Sequence, residues 1–237
     1  MRTIVYVDGL NLYYAALRGT PFKWLDVFAL FQNNVLGDDI EVTQVRYYTA
    51  FSKGSSSDDP TSPHRQRRYL HALKAYRGDR IEIIYGFIAR TTPYLRLVNM
   101  PQGGSIVTKA RVYQFTEKQT DVNLAADLIS DAWRNNYKRA VVCSNDSDLV
   151  GALTAVQRDH PDVVLGLVSP ARDVCHISRD LKERAAWCKT FDATHLARAQ
   201  LPERIPGTHL SRPPQWSGAA ANLDSIHEPL VLPENAA

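Results

Sequence analysis

The chain has little of what would mark several large protein classes. Across its 237 residues no apolar run approaches the roughly 20 residues needed to cross a bilayer, so no membrane-spanning helix is expected. The first residues, Met-Arg-Thr-Ile-Val-Tyr-Val-Asp, hold neither an apolar signal core nor a cleavage site, and a cytoplasmic protein is the expectation. The three cysteines, Cys143, Cys175 and Cys188, are far apart, form no CxxC and have no histidine at zinc-ligand spacing. They argue against a disulfide framework and a structural zinc site, and read as small hydrophobes in a reducing compartment. No GxGxxG follows a strand-like segment and no flavin fingerprint is present, so dinucleotide-dependent redox chemistry has no direct support from the residues. There is no internal repeat.

What is present suffices for one core. At 44% hydrophobic residues the chain can bury a full interior and has no need of two domains. One α/β domain over 1–195 is expected, followed by a tail over 196–237. Pro202, Pro206, Pro213, Pro214, Pro229 and Pro233 interrupt that tail, and it reads as flexible.

Apolar periodicity sketches the order of elements. Strand-like runs at 3–7, 41–50, 81–88, 139–144 and 163–168 alternate with helix-compatible stretches at 10–17, 24–31, 63–76, 120–135 and 147–158. Such alternation predicts a mostly parallel sheet covered by helices on both faces, joined by right-handed crossovers. Two β-prone runs, 94–98 and 106–115, are separated by Met-Pro-Gln-Gly-Gly-Ser and predict a hairpin-like excursion.

The formal net charge of +3 hides an uneven distribution. Between Lys53 and Lys118 there are 12 Lys and Arg against 5 Asp and Glu, a local +7 that leaves −4 elsewhere. Arg65, Arg67, Arg68, Arg90, Arg96, Lys109, Arg111 and Lys118 lie in this segment. A basic stretch suits a phosphate backbone, whose condensed counterions Lys and Arg displace, although an ordinary solvated helix face would read the same way.

The candidate chemistry sits where strands end. In doubly wound sheets ligands bind outside the carboxyl ends of the strands. Asp8 closes the first strand, with Asn11 just beyond it, and Asp146 and Asp148 directly follow the strand at 139–144. Asp146 or Ser147 could simply cap a helix. Capping needs one such residue, however, and Ser144, Asn145, Asp146, Ser147 and Asp148 crowd together there. Neighbouring carboxylates repel unless a cation or a proton lies between them. On the helix at 120–135, Val122, Ala125, Ala126, Leu128, Ile129, Ala132 and Trp133 define an apolar arc that includes Asp121 and leaves out Asp127 and Asp131. Asp121 is then a cap that also points toward the sheet, and Asp127 a supporting or solvated acid.

Taken together, Tyr-Val-Asp-Gly-Leu-Asn (6–11), Lys-Gln-Thr-Asp-Val-Asn-Leu-Ala-Ala-Asp (118–127) and Ser-Asn-Asp-Ser-Asp-Leu (144–149) resemble the NYN domain of the PIN-like nuclease superfamily in order, spacing and context. The family more often has Gly where this chain has Asn145. The resemblance implies a Rossmann-like three-layer fold and a metal-dependent endoribonuclease. Asp8, Asp121, Asp146 and Asp148 match the positions that hold magnesium or manganese, with Asn11 orienting Asp8 or a metal-bound water. RNA, single-stranded, is the implied partner. The basic residues named above would grip its backbone, and Tyr94 or Tyr113 could stack on a base or pack in the core. A homo-oligomer is compatible with the chain. Two other readings stay open: a non-catalytic RNA-binding module that keeps the metal site, and a small-molecule enzyme such as a pyridine-ring hydroxylase, an activity carried by some NYN-like chains.

Overall fold

The computed structural model describes residues 1–51, 59–97, 108–171 and 176–216. Six strands form one sheet in the order β10-β9-β8-β1-β2-β3, every neighbouring pair parallel. They are β1 (Thr3–Asp8), β2 (Val42–Thr49), β3 (Ile81–Tyr85), β8 (Arg139–Cys143), β9 (Val164–Ser169) and β10 (Trp187–Thr190). Thr-Ile-Val-Tyr-Val-Asp in β1 and Arg-Ala-Val-Val-Cys in β8 are almost wholly buried, as strands with helices on both faces must be.

Each face has its own core. Val5, Val7, Val45, Tyr47, Val141 and Cys143 point into one layer, with Trp24, Phe28, Leu30 and Phe31 from the segment around α2 (Val27–Ala29) and Leu70 and Leu73 from α3 (Ser62–Arg77). Ile4, Tyr6, Tyr48, Ala140 and Val142 point into the other, against α4 (Thr120–Trp133) and α5 (Val150–Asp159). From β1 the chain runs outward to β2 and β3, then returns through α4 to β8 on the opposite side of β1. The order of strands therefore reverses between β1 and β8, and their carboxyl ends flank the crevice where a doubly wound sheet binds ligands.

The expected hairpin excursion is present, with one adjustment. The run at 81–88 is not a single strand: it breaks at Gly86 into β3, which stays in the main sheet, and β4 (Phe87–Thr91), which leaves it. β4 pairs antiparallel with β7 (Gln114–Lys118), and β5 (Tyr94–Arg96) with β6 (Lys109–Arg111). The turn predicted around 98–107 lies outside the described residues, as does most of the loop at 52–63.

The stretch 196–216 corrects the expectation of a flexible tail. After the helix Ala193–Arg198, Leu201 and Ile205 are buried, the Trp24 Nε1–H donates to the Pro202 carbonyl at 2.9 Å, and the Leu201 N–H donates to the Trp24 carbonyl at 2.9 Å. The Trp216 ring lies against Trp24 and Tyr69. Proline removes backbone donors and so prevents regular ladders, but it does not prevent apolar side chains from anchoring an irregular segment to a core.

Candidate metal centre

Asp8 ends β1 and caps α1 (Gly9–Leu12), which continues as a π-helical turn over Tyr13–Leu17. Only glycine fits at position 9: an added Cβ would lie 2.6 Å from the Tyr47 ring and 2.7 Å from the Tyr48 carbonyl oxygen. The Asp8 carboxylate is 4% exposed, its Oδ1 accepting from the Asn11 N–H and its Oδ2 from the Ser144 hydroxyl, both at 2.9 Å. Ser144 Oγ in turn accepts from the Asp146 N–H at 3.0 Å, and Asn11 Oδ1 from the Asn145 N–H at 3.1 Å. The loop after β1 and the loop after β8 are thus bolted together by short polar side chains.

Asn145, where the family more often has Gly, has ordinary negative-φ backbone. Its side chain ties in the loop after β9, donating to the His176 carbonyl and accepting from the Ser178 N–H, each at 2.8 Å. The substitution alters local tethering and imposes no left-handed strain.

Asp121 approaches from the first turn of α4. Gln119, just before the helix, has φ 79°, a left-handed conformation that non-glycine residues adopt at some cost. Glu117 Oε1 accepts from the Thr120 N–H at 2.8 Å and caps that end. Asp8, Asn11, Tyr14, Glu117, Asp121 and Asp146 all line one cleft of about 440 Å³ at the β1–β8 crevice. Asp148 is exposed at its edge; its backbone N–H donates to Asp146 Oδ1 at 2.9 Å, and its charge acts on Asp121. Sequence reasoning missed Glu117. The available signal was an acid three residues before the Thr that opens a helix, the spacing at which it can cap the free N–H groups.

The electrostatics follow from four acids in one cleft, Asp8, Glu117, Asp121 and Asp146. Burial pushes the Asp8 carboxyl up, opposed by the bonds from Asn11 and Ser144 and assisted by Asp146. Burial first, then the charges of Asp8, Asp146, Glu117 and Asp148, push Asp121 up from 3.8 to about 6. No Lys, Arg or His forms an ion pair with Asp8, Asp121, Asp146 or Asp148 among the described residues.

A carboxyl that holds its proton more tightly folded than unfolded makes the fold lose stability as pH rises from about 4 to about 6. At full weight the gap from 3.8 to about 6 corresponds to about 3 kcal/mol, and solvent screening of this half-exposed group reduces it to about 1–2 kcal/mol. In metal-free buffer Asp121→Asn should therefore be more stable than the parent by about 1–2 kcal/mol near pH 7.5, with the gain shrinking toward zero near pH 4. Thermal melts at the two pH values check this; an equal gain at both would contradict it.

A divalent cation fits this donor set in its chemistry. Carboxylate oxygens suit hard ions, the charge is uncompensated, and an ion such as magnesium keeps several waters and does not require an all-protein cage. Among the described residues no three His, Cys, Asp or Glu side chains already stand as a closed chelating group. The arrangement is an open one, with Asp8 fixed by hydrogen bonds and Asp121 and Asp146 facing it across the cleft.

Asp127, read from sequence as supporting the cluster, is placed elsewhere. Its Oδ2 accepts from the Tyr48 hydroxyl at 2.9 Å and lies 3.4 Å from Arg46. Asp131, placed outside the apolar arc, is buried, accepting from the Tyr6 hydroxyl at 2.7 Å and from Asn136 Nδ2 at 2.8 Å and pairing with Arg46 at 2.9 Å. Val122 and Trp133 are exposed at 70% and 62%, so the buried face of α4 is rotated from the one that hydrophobicity alone defines.

The basic residues fall into two groups. Arg65, Arg67 and Arg68 ride on α3, where Arg65 pairs with Asp59 and the Arg67 guanidinium lies 5.3 Å from the Phe51 ring centre. Arg90, Arg96, Lys109, Arg111 and Lys118 are exposed along the antiparallel ribbons. Arg90 lies 5.4 Å from the Tyr113 ring centre, and Arg111 donates to Thr92 Oγ1 at 3.1 Å. Tyr94 and Tyr113 are both 69% exposed, which removes core packing as the account of either.

A parallel α/β sheet with an acidic cleft at its strand-order reversal is a scaffold that hosts different activities and does not by itself fix one. The family model of the NYN domain matches residues 2–186, and the chain belongs to that family, within the PIN-like nuclease superfamily. It is 32% identical over 253 aligned positions to a Pseudomonas putida protein named 6-hydroxy-3-succinoylpyridine 3-monooxygenase HspA, with 98% of this chain and 80% of the relative covered. A solved structure of a Vibrio parahaemolyticus protein of unknown function is similar at 20% identity and a TM-score of 0.46, over 81% of this chain and 93% of that one. No helix among the described residues is long and apolar enough to cross a membrane.

Proposed function

We propose that the chain is a metal-dependent endoribonuclease that hydrolyses phosphodiester bonds in single-stranded RNA. The observation that carries this reading is the meeting of Asp8, Asp121 and Asp146 in one cleft with no cationic partner among the described residues. Asp8, Asp121 and Asp146 would hold magnesium or manganese, with Asp148 at the edge. When bound, such an ion supplies a Lewis acid for the phosphate and lowers the pKa of water. Asp8 Oδ1 accepts from the Asn11 N–H and Oδ2 from the Ser144 hydroxyl, bonds that fix the carboxylate's orientation in the cleft. Burial and the neighbouring acids push the metal-free Asp121 carboxyl up to about 6, a repulsion that a bound divalent cation would relieve. Asn11 and Ser144 position Asp8, and the cationic ribbons and α3 supply grips for the RNA backbone.

Incubation with labelled single-stranded RNA and manganese should yield internal cleavage products that disappear when the metal is chelated. RNA that is bound and left intact would replace this reading with the non-catalytic RNA-binding module.

The likeness to a protein named a monooxygenase, spanning 98% of this chain, favours a second reading: hydroxylation of a small heteroaromatic ring. Flavin bands in the absorbance of the purified protein, or NADH consumption in the presence of a hydroxypyridine and oxygen, would carry that reading over the hydrolytic one.

A further inference from the structure

Beside the acidic cleft lies a second cavity of about 440 Å³, within the size range of small-ligand sites, and Leu10 and Tyr14 line both. Its walls include the rings of Tyr13, Tyr47, Tyr69 and Trp216, and Arg18 and Lys23 also line it. Tyr47 is largely buried, but its hydroxyl makes no hydrogen bond among the described residues and stays accessible at the cavity wall. Tyr69 makes the contrast, since its hydroxyl donates to the Leu25 carbonyl at 2.9 Å. Neither Arg18 nor Lys23 pairs with a carboxylate among the described residues. Burial, with the Arg65 charge nearby, pushes the Lys23 amine down, a shift that a bound anion would oppose.

Flat aromatic walls, with a free hydroxyl and two cations that have no carboxylate partner among the described residues, suit one kind of ligand. We propose that this cavity binds a planar heteroaromatic ring that bears an anionic group. The ring lies among the aromatic side chains, the Tyr47 hydroxyl bonds a ring heteroatom or carbonyl, and Lys23 and Arg18 hold the anion. Two sources share this chemistry, a nucleobase with its phosphate and a free heteroaromatic carboxylic acid. The proposal goes beyond the hydrolytic reading and concerns binding alone, so it stands or falls whether or not the cleft cuts RNA.

Calorimetric titration of the full chain in metal-free buffer tests it, with uridine monophosphate and pyridine carboxylate as probes and uridine and pyridine as their uncharged counterparts. At least one anionic probe should bind saturably and about tenfold tighter than its uncharged counterpart. Tyr47→Phe should weaken that probe about tenfold, and Lys23→Gln should weaken it about tenfold while leaving the uncharged counterpart unchanged. Tighter binding of the nucleotide identifies a base subsite, and tighter binding of the carboxylate identifies a small-molecule site. Asp127→Asn, whose carboxylate is engaged with Tyr48 and Arg46 on the other face of the sheet, should leave binding within twofold. If Tyr47→Phe fails to give the parental circular dichroism, Lys23→Gln decides alone. Absence of saturable binding by both anionic probes, or binding that Lys23→Gln leaves unchanged, overturns the proposal.

Discussion

Replacing Asp8 by Asn is expected to reduce RNA cleavage in manganese about a thousandfold while the fold survives. Asn is nearly isosteric with Asp. Its carbonyl can still accept from the Asn11 N–H, and the Ser144 hydroxyl can rotate to accept from the new amide. What goes is the charge, and with it an oxygen donor suited to a hard cation. Metal-free stability should stay level or rise by about 1 kcal/mol, because a buried carboxylate raised by desolvation and by Asp146 has been removed. Asp127→Asn is the matched control. That acid is engaged with Tyr48 and Arg46, and cleavage should remain within a few-fold of the parent. Equal losses in the two variants would mean that the cleft around Asp8 is not where the chemistry occurs.

The largest expected loss of stability lies beneath α4. Arg46 on β2 reaches Asp131 at 2.9 Å, Glu82 at 3.3 Å and Asp127 at 3.4 Å. Arg46→Met would leave Asp131, 1% exposed, with the Tyr6 and Asn136 donors but without its counter-charge. Removing one partner of a buried pair typically costs about 3–5 kcal/mol, and the partly solvated Arg46 places the loss near about 3 kcal/mol. For a chain of this size that is a fall in Tm of about 6–12 °C. Adding Asp131→Asn should recover at least half of it, because the stranded charge is then gone. Additive losses in the double variant would show that packing, not charge, sets the cost. The network also bears on the site, since it fixes the seat of α4 on the sheet and α4 carries Asp121.

The placement of Asp8, Asp146 and Asp148 just at or beyond strand ends was legible because each follows a β-branched or apolar run. The parallel sheet was legible for a related reason: buried parallel strands are apolar on both faces and separate cleanly from the helices between them. The rotation of α4 was not legible. Hydrophobicity counts Val122 and Trp133 as core and Asp131 as surface, whereas Tyr6 and Arg46, more than 80 residues away in sequence, satisfy Asp131 in the interior and invert that order. The stretch 196–216 failed for the converse reason. Its prolines signal the absence of ladders, and they say nothing of Leu201, Ile205 and Trp216, which are packed into the core, Leu201 and Trp216 against Trp24 and Tyr69 in the first third of the chain.

The central claim is that Asp8, Asp121 and Asp146 share one divalent ion. Anomalous scattering from a manganese-soaked crystal tests it most directly. The predicted result is a single peak in the cleft, about 2.0–2.6 Å from carboxylate oxygens of all three, the range that hard cations keep. A peak held elsewhere, or a cleft with no manganese at millimolar concentration, would contradict it.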